Sequence, residues 1–359
     1  MPYNQLTIQK SCVNRCGHNR QISIAKAIGI ILMVTGHSGC PEYLHDFIYL
    51  FHMPLFYFLS AYFFRDEKVT KNCGQYVMRK FKNLYWPYVK WSFIFLLLHN
   101  VFYHVGFYDS SLSWQEIYVN ARRAVLGSWQ GERMLGAYWF LISLFWESLL
   151  FGFIIFVKHK INNHHFDLVA IALLFVVGYF SPVDLKINRE MVLLPIFYMG
   201  YLVSKHKVDL SSNRKHLAFA LLVCLPLLAC GAFFVRIEVG QSVFGNPVLF
   251  LLGSFSGICL VMIISDALSR TSIGKWLDLL GRATMSVLTF HFLSFKILTL
   301  LLIIIGIYPV ATLAQWPVPS GHGYNNLWLL YTVVGLMGPV CFAVLIKIIK
   351  VRLQTILNK

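Results

Sequence analysis

Residues 22–65 read ISIAKAIGIILMVTGHSGCPEYLHDFIYLFHMPLFYFLSAYFFR. Two apolar segments are joined by a short turn around Pro41, and Lys26, His37 and His52 lie inside them. An ionisable group in hydrocarbon costs roughly 2.5 to 3.5 kcal/mol on insertion scales, so such groups face a protein interior or a wet cavity. The pair of segments therefore reads as two helices walling a reaction site. Lys26 and His37 are eleven residues apart, which is three helical turns plus about 20° and about 16 Å of rise, so they share one stripe. His52 enters from the opposite end of the next helix and reaches a depth comparable with His37. Pro54 just after it is expected to kink that helix and open space beside the ring.

The rest of the chain has the same character. Of 359 residues 57% are hydrophobic and 13% charged, an apolar share too high and a charge too low for a soluble domain. Ten apolar blocks are long enough to cross a bilayer or nearly so, near 22–40, 45–64, 84–107, 136–157, 166–181, 190–204, 215–235, 246–266, 283–306 and 326–346. The expected fold is all-α: a polytopic integral membrane protein of about ten transmembrane helices. Residues 1–21 form an N-terminal tail, 22–346 one membrane domain and 347–359 a basic tail.

The net charge of +16 could suggest nucleic acid, but the basic residues sit between the blocks. With the N-terminus inside, 22 of the 31 Lys and Arg fall on the inner side and six on the outer, with Lys26, Lys90 and Lys296 within spans. The positive-inside rule then makes both termini cytoplasmic. The eight cysteines give no disulfide framework, and Cys12, Cys16 and His18 lack a second ligand pair at zinc-site spacing, so no metal is expected. The polar leader and Lys26 argue against a cleavable signal.

Several further groups are candidates. Arg79, Lys80 and Lys82 lead into Tyr85, Trp86 and Tyr88. They read either as an inner-face interfacial belt or as a ledge for a polyanionic nucleotide, and the two are compatible. Glu147 lies near the middle of the fourth block, where it stays protonated, pairs with Lys26 or the histidines, or serves as interhelical glue. His291 in the ninth block is a site member or a packing histidine. The long connection 108–135 is external and could close over the outer mouth or bind an acceptor. Imidazoles in the outer half, cations at the inner face and a stripe between them suggest group transfer across a membrane.

The Lys26-x10-His37 spacing, the run FHMPLFYFLSAYFF (51–64), RKFKNLYWPY (79–88), AYWFL (137–141) and GRATMSVLTFHF (281–292) together resemble the acyltransferase-3 family of bacterial membrane O-acyltransferases, in particular its fucose-acetylase-like branch. The resemblance implies a ten-helix enzyme of the bacterial cytoplasmic membrane. It would carry an acetyl or other short acyl group from cytoplasmic acyl-CoA to a hydroxyl of a surface polysaccharide or its lipid-linked precursor. No tightly bound cofactor is implied, acyl-CoA being the donor substrate. By the same resemblance His37 matches the essential histidine, Lys26 its basic partner, Arg79, Lys80 and Lys82 the contacts to the CoA phosphates, and His52 and His291 further site histidines. Ser23 stands where many relatives carry an acid, and Ala61 replaces a usual Gly; Glu147 is the substitute acid this leaves. A different class also fits intramembrane His, Glu and Lys: a transporter or flippase for a lipid-linked sugar or small molecule. A third reading is an inactive scaffold in glycan assembly.

Overall fold

The structure, a computed structural model, describes residues 19–357 apart from 128–131, 182–186, 235 and 321–324. The candidate ligands Cys12, Cys16 and His18, and Trp129 of the long connection, lie outside the described residues. Among the described residues there is no strand, only an isolated bridge between Glu238 and Val243. The helices are α1 (Arg20–His37), α2 (Glu42–Tyr49), α3 (His52–Tyr62), α4 (Asp66–Thr70), α5 (Cys73–Lys80), α6 (Trp86–Val105), α7 (Trp114–Val125) and α8 (Trp139–Ile161). There follow α9 (Phe166–Phe180), α10 (Asn188–Lys205), α11 (Arg214–Phe219), α12 (Leu225–Phe234), α13 (Pro247–Ser269), α14 (Ile273–Arg282), α15 (Thr284–Ile304) and α16 (Trp328–Leu357).

Each apolar block of the sequence is helical, and the chain is all-α. Among the described residues four helical stretches, 133–161, 214–234, 247–269 and 284–304, are long and apolar enough to cross a membrane, and Phe166–Phe180 and Trp328–Val344 are shorter apolar helices. Their outward faces carry the large apolar side chains that a soluble protein would bury: Leu222, Phe233, Ile304 and Met337 are all more than half exposed. The inner helices α1 and α3 are wrapped by others, with Ile24, Ala25, Tyr57 and Phe58 fully buried. Such helices tolerate Lys26, His37 and His52 because they face protein rather than lipid.

Several details depart from the sequence reading, each for a local reason. The second block is two helices, not one kinked after His52. The chain breaks at Leu50–Phe51, before the histidine, and Phe51 is non-helical. Pro54 falls in the first turn of α3, where a missing N–H costs nothing. Carbonyls at the break are satisfied from side chains: the His52 ring donates to Ile48 O at 2.9 Å and Ser254 Oγ to Leu50 O at 2.8 Å. Wide π-turns at Phe81–Tyr85 and Ala220–Cys224 each precede a proline, Pro87 and Pro226, whose rings cannot continue the regular ladder. The last helix continues past 346 to Leu357, so the basic segment expected as a tail is helical to that point. At the other end α1 already includes Arg20 and Gln21.

The connection 108–135 does not simply cap one end. Its helix α7 runs back along α6, held at the top by Asn100 to Leu112 (2.9 and 2.8 Å) and at the bottom by the Tyr85 hydroxyl on the Val125 carbonyl. Ile117, Asn120, Ala121 and Ala124, spaced three and four apart, form its packed face.

Helices α3 and α10 touch at backbone distance through Gly200, where an added Cβ would collide with the Phe58 carbonyl. Gly200→Val should therefore cost about 1–3 kcal/mol or more of stability and lower the melting temperature of the detergent-solubilised protein. Gly74→Ala, whose Cβ would meet only Asn72 Oδ1 at 3.9 Å, should leave it unchanged.

Candidate active site

A cavity of about 1460 Å³ penetrates the bundle between α1, α3, α8, α10 and the start of α15. Ligand sites commonly measure about 300–1,000 Å³, so there is room for parts of two substrates. Lys26, His37 and His52 line it together, as the stripe argument expects.

His37 ends α1, and its imidazole lies beside that of His291 in nearly the same plane, with ring centroids 5.3 Å apart and planes 15° apart. His37 Nδ1 and His291 Nε2 are 3.2 Å apart. His291 Nδ1 faces the carbonyls of Val287 and Leu288 at 3.0 and 3.2 Å, and carbonyls only accept. His291 therefore carries its proton on Nδ1 and accepts at Nε2. It follows that His37 donates from Nδ1, which leaves the lone pair of its Nε2 without a hydrogen-bond partner among the described residues, on a ring that lines the cavity. The same logic applies to His52: its Nδ1–H is spent on Ile48 O, leaving Nε2 as acceptor. Thus His291, with no exposed surface, fixes the tautomer and direction of the His37 ring, as the orienting member of a catalytic triad does for its histidine.

Aromatic rings hold this pair. Phe292 packs 4.9 Å from His37 and 4.0 Å from His291, and Trp316 covers Phe292 at 4.4 Å. The covering loop is clamped by Lys296, which is 1% exposed and donates to the Leu313 carbonyl at 2.8 Å and to that of Gln315. On the other side Tyr49 stacks on His45 at 3.7 Å and approaches His52 at 4.8 Å. Gly36 makes this possible, because a Cβ there would stand 2.7 Å from the Tyr49 ring.

The basic ledge is divided. Lys80 lines the cavity, while Arg79 and Lys82 are exposed and stand outside its lining. Successive helical residues turn by about 100°, so neighbours 79 and 80 cannot share a face. Burial, with the charge of Lys68 adding to it, brings the Lys80 ammonium down to about 8. Lys26 sits near the same end, 5.6 Å from the Phe63 ring.

Glu147 does not join the site. It is fully buried outside the cavity lining, and neither oxygen has a hydrogen-bond partner among the described residues. Pairing with Lys26 or a histidine is therefore not found. Two other acids line the cavity, Glu238 and Glu190, the latter beside Arg189, and the sequence reading passed over all three as site residues. Tyr57 donates to Ser143 Oγ at 2.7 Å, Ser143 donates to Glu190, and Arg189 Nε donates to Ser143 Oγ at 3.1 Å. An adjacent Arg-Glu pair at the start of an apolar block was the available signal, but it reads as an ordinary flank.

A family model described as an acyltransferase domain matches residues 19–348. The chain belongs to the acyltransferase-3 family. Neither a curated protein nor a solved structure matches it. Membership supports membrane acyltransferase activity, and no finding favours the transport reading. In an acyltransferase an imidazole with a free, oriented lone pair can take the proton of an attacking hydroxyl.

Nitrogen-15 NMR of histidine-labelled protein in nanodiscs should find His37 protonated at Nδ1 and bare at Nε2. In His291→Ala the signal should become a mixture of tautomers; an unchanged spectrum would show that His291 does not set it.

Proposed function

We propose that this acyltransferase moves an acetyl or other short acyl group from cytoplasmic acyl-CoA to a hydroxyl of a surface polysaccharide or its lipid-linked precursor, in a bacterial cytoplasmic membrane. The reading takes all ten apolar segments as spans with both termini inside, in accord with the basic residues on one side, and follows the fucose-acetylase-like branch. The observation that carries it is a single cavity shared by Lys26 and Lys80 at one end and by the free Nε2 of His37 within.

The donor's phosphates lie at Lys80 and Lys26, with Arg79 and Lys82 at the exposed approach, and its pantetheine chain runs along the cavity to the thioester. His37 Nε2 takes the proton as the acceptor hydroxyl oxygen attacks the thioester carbonyl. The C–S bond then breaks, and the proton passes from His37 to the departing CoA sulfur, so no net proton is gained or lost. His52, which also lines the cavity, completes the polar surroundings of the thioester.

With purified protein, labelled acetyl-CoA and envelope glycans, His37→Ala should lower transfer by about 10²–10⁴-fold while donor binding persists. Transfer at the wild-type rate would overturn the assignment of the base. Lys80→Ala should raise the donor KM far more than Arg79→Ala. Because Lys80 titrates at about 8, donor affinity should be full below that pH and weaken as pH rises through it, and Lys80→Arg should abolish the dependence. A flat profile in the wild type would remove Lys80 from the phosphate site.

A further inference from the structure

The charges of the cavity are segregated. The arm that holds Lys26 and Lys80 contributes no carboxylate to the lining. The other arm is walled by Trp139, Ser143, Arg189, Glu190 and the 238–242 turn, where Glu238 is a second acid. Arg189 NH2 stands 3.3 Å from Glu190 Oε1, its NH1 donates to Gly240 O at 3.2 Å, and the guanidinium lies 4.7 Å from the Trp139 ring. Glu190 thus cancels the charge of Arg189, and Glu238, with His45 3.9 Å away and Arg236 near it, leaves this arm near neutral, with no surplus cation among the described lining residues.

The cluster is built in advance of any ligand. Tyr57, Ser143, Glu190 and Arg189 hold one another through hydrogen bonds across α3, α8 and α10. A guanidinium offers five N–H donors, and three are engaged by Ser143, Gly240 and Glu190, which leaves two without a partner among the described residues. Glu190 is 2% exposed, and its Oε2 has no hydrogen-bond partner among the described residues. A sugar, whose hydroxyls both donate and accept, suits a neutralised pair of this kind. A carboxylate, sulfate or phosphate would face the carboxylates of Glu190 and Glu238 with no surplus cation among the described lining residues, a like-charge penalty.

We propose that this arm is the acceptor subsite and that it selects an uncharged sugar, Arg189 and Glu190 holding its hydroxyls while His37 faces the reacting one. The assignment rests on the acyl-transfer reading, since a donor in the basic arm is what makes the opposite arm an acceptor site.

Two reporter cysteines separate the two ideas in full-length protein in nanodiscs: Gln241→Cys in the sugar arm and Ser60→Cys in the basic arm, both lining the cavity. Alkylation is read at each position by peptide mass spectrometry, which sets aside the native cysteines. The probes are methyl glucoside, galactoside and mannoside, methyl glucuronide and acetyl-CoA. At least one neutral glycoside should slow alkylation at position 241 about tenfold more than the glucuronide does. Adding Arg189→Gln should remove that protection while acetyl-CoA still protects position 60. Adding Glu238→Gln, on the turn and away from the packed cluster, should raise protection by the glucuronide. Equal protection by the glucuronide, no protection by any glycoside, or protection that survives Arg189→Gln would overturn the subsite. Glycoside protection at 241 without acetyl-CoA protection at 60 would instead sustain the sugar site and overturn the acyl-transfer reading.

Discussion

The contact between His37 and His291 is the constraint on which the site depends. It ties the last residue of α1 to the interior of α15, 254 positions away in sequence, and gives two ambiguous imidazoles defined tautomers, as the proposed base and its support require. The direction comes from the backbone: carbonyls of α15 require a proton on His291 Nδ1, and every later assignment follows from that. Lys296 extends the constraint outward by clamping the loop that brings Trp316 over Phe292. A chain break at Leu50–Phe51 does comparable work on the other side, because it starts α3 at His52 and turns that ring back onto Ile48.

Buried polar groups of this sort are expensive unless each finds a partner, and most here do. His52, Ser143, Thr289 and Lys296 all spend hydrogens on named acceptors. The groups left with spare capacity are therefore informative. His37 Nε2, the remaining N–H donors of Arg189 and the Lys80 ammonium all belong to residues lining one cavity, and their charges sort into a basic and a near-neutral arm. Glu190 Oε2 belongs to the same cavity wall, whereas Glu147, Ser148 Oγ and Ser265 Oγ are exceptions within the packed interior.

Much of the fold could be read from the order of residues, since apolar length and basic flanks locate each helix. Lys26, His37 and His52 were also within reach, because three helical turns bring eleven-residue neighbours to one face. What could not be read was long-range. His291 looked equally like a packing residue until α15 met α1. Glu147 looked like a site acid, yet its helix turns it away from the cavity, while Glu190 entered through a pair that resembles a membrane flank. Pro54 misled because the effect of a proline depends on its position within a helix, and the break that decides that position lies at Leu50–Phe51, where no Gly or Pro marks it. The return of α7 along α6 depends on Asn100, Leu112, Tyr85 and Val125 meeting, which no local pattern announces.

The central claim is that one passage brings a thioester from the basic arm to the free nitrogen of His37. Cryo-electron microscopy of the protein with a non-hydrolysable thioether analogue of acetyl-CoA tests it most directly. The account predicts phosphates beside Lys80 and the acyl carbon within reach of an acceptor hydroxyl that sits about 3 Å from His37 Nε2. Density for the analogue outside this cavity, or with its acyl end remote from His37, would contradict it.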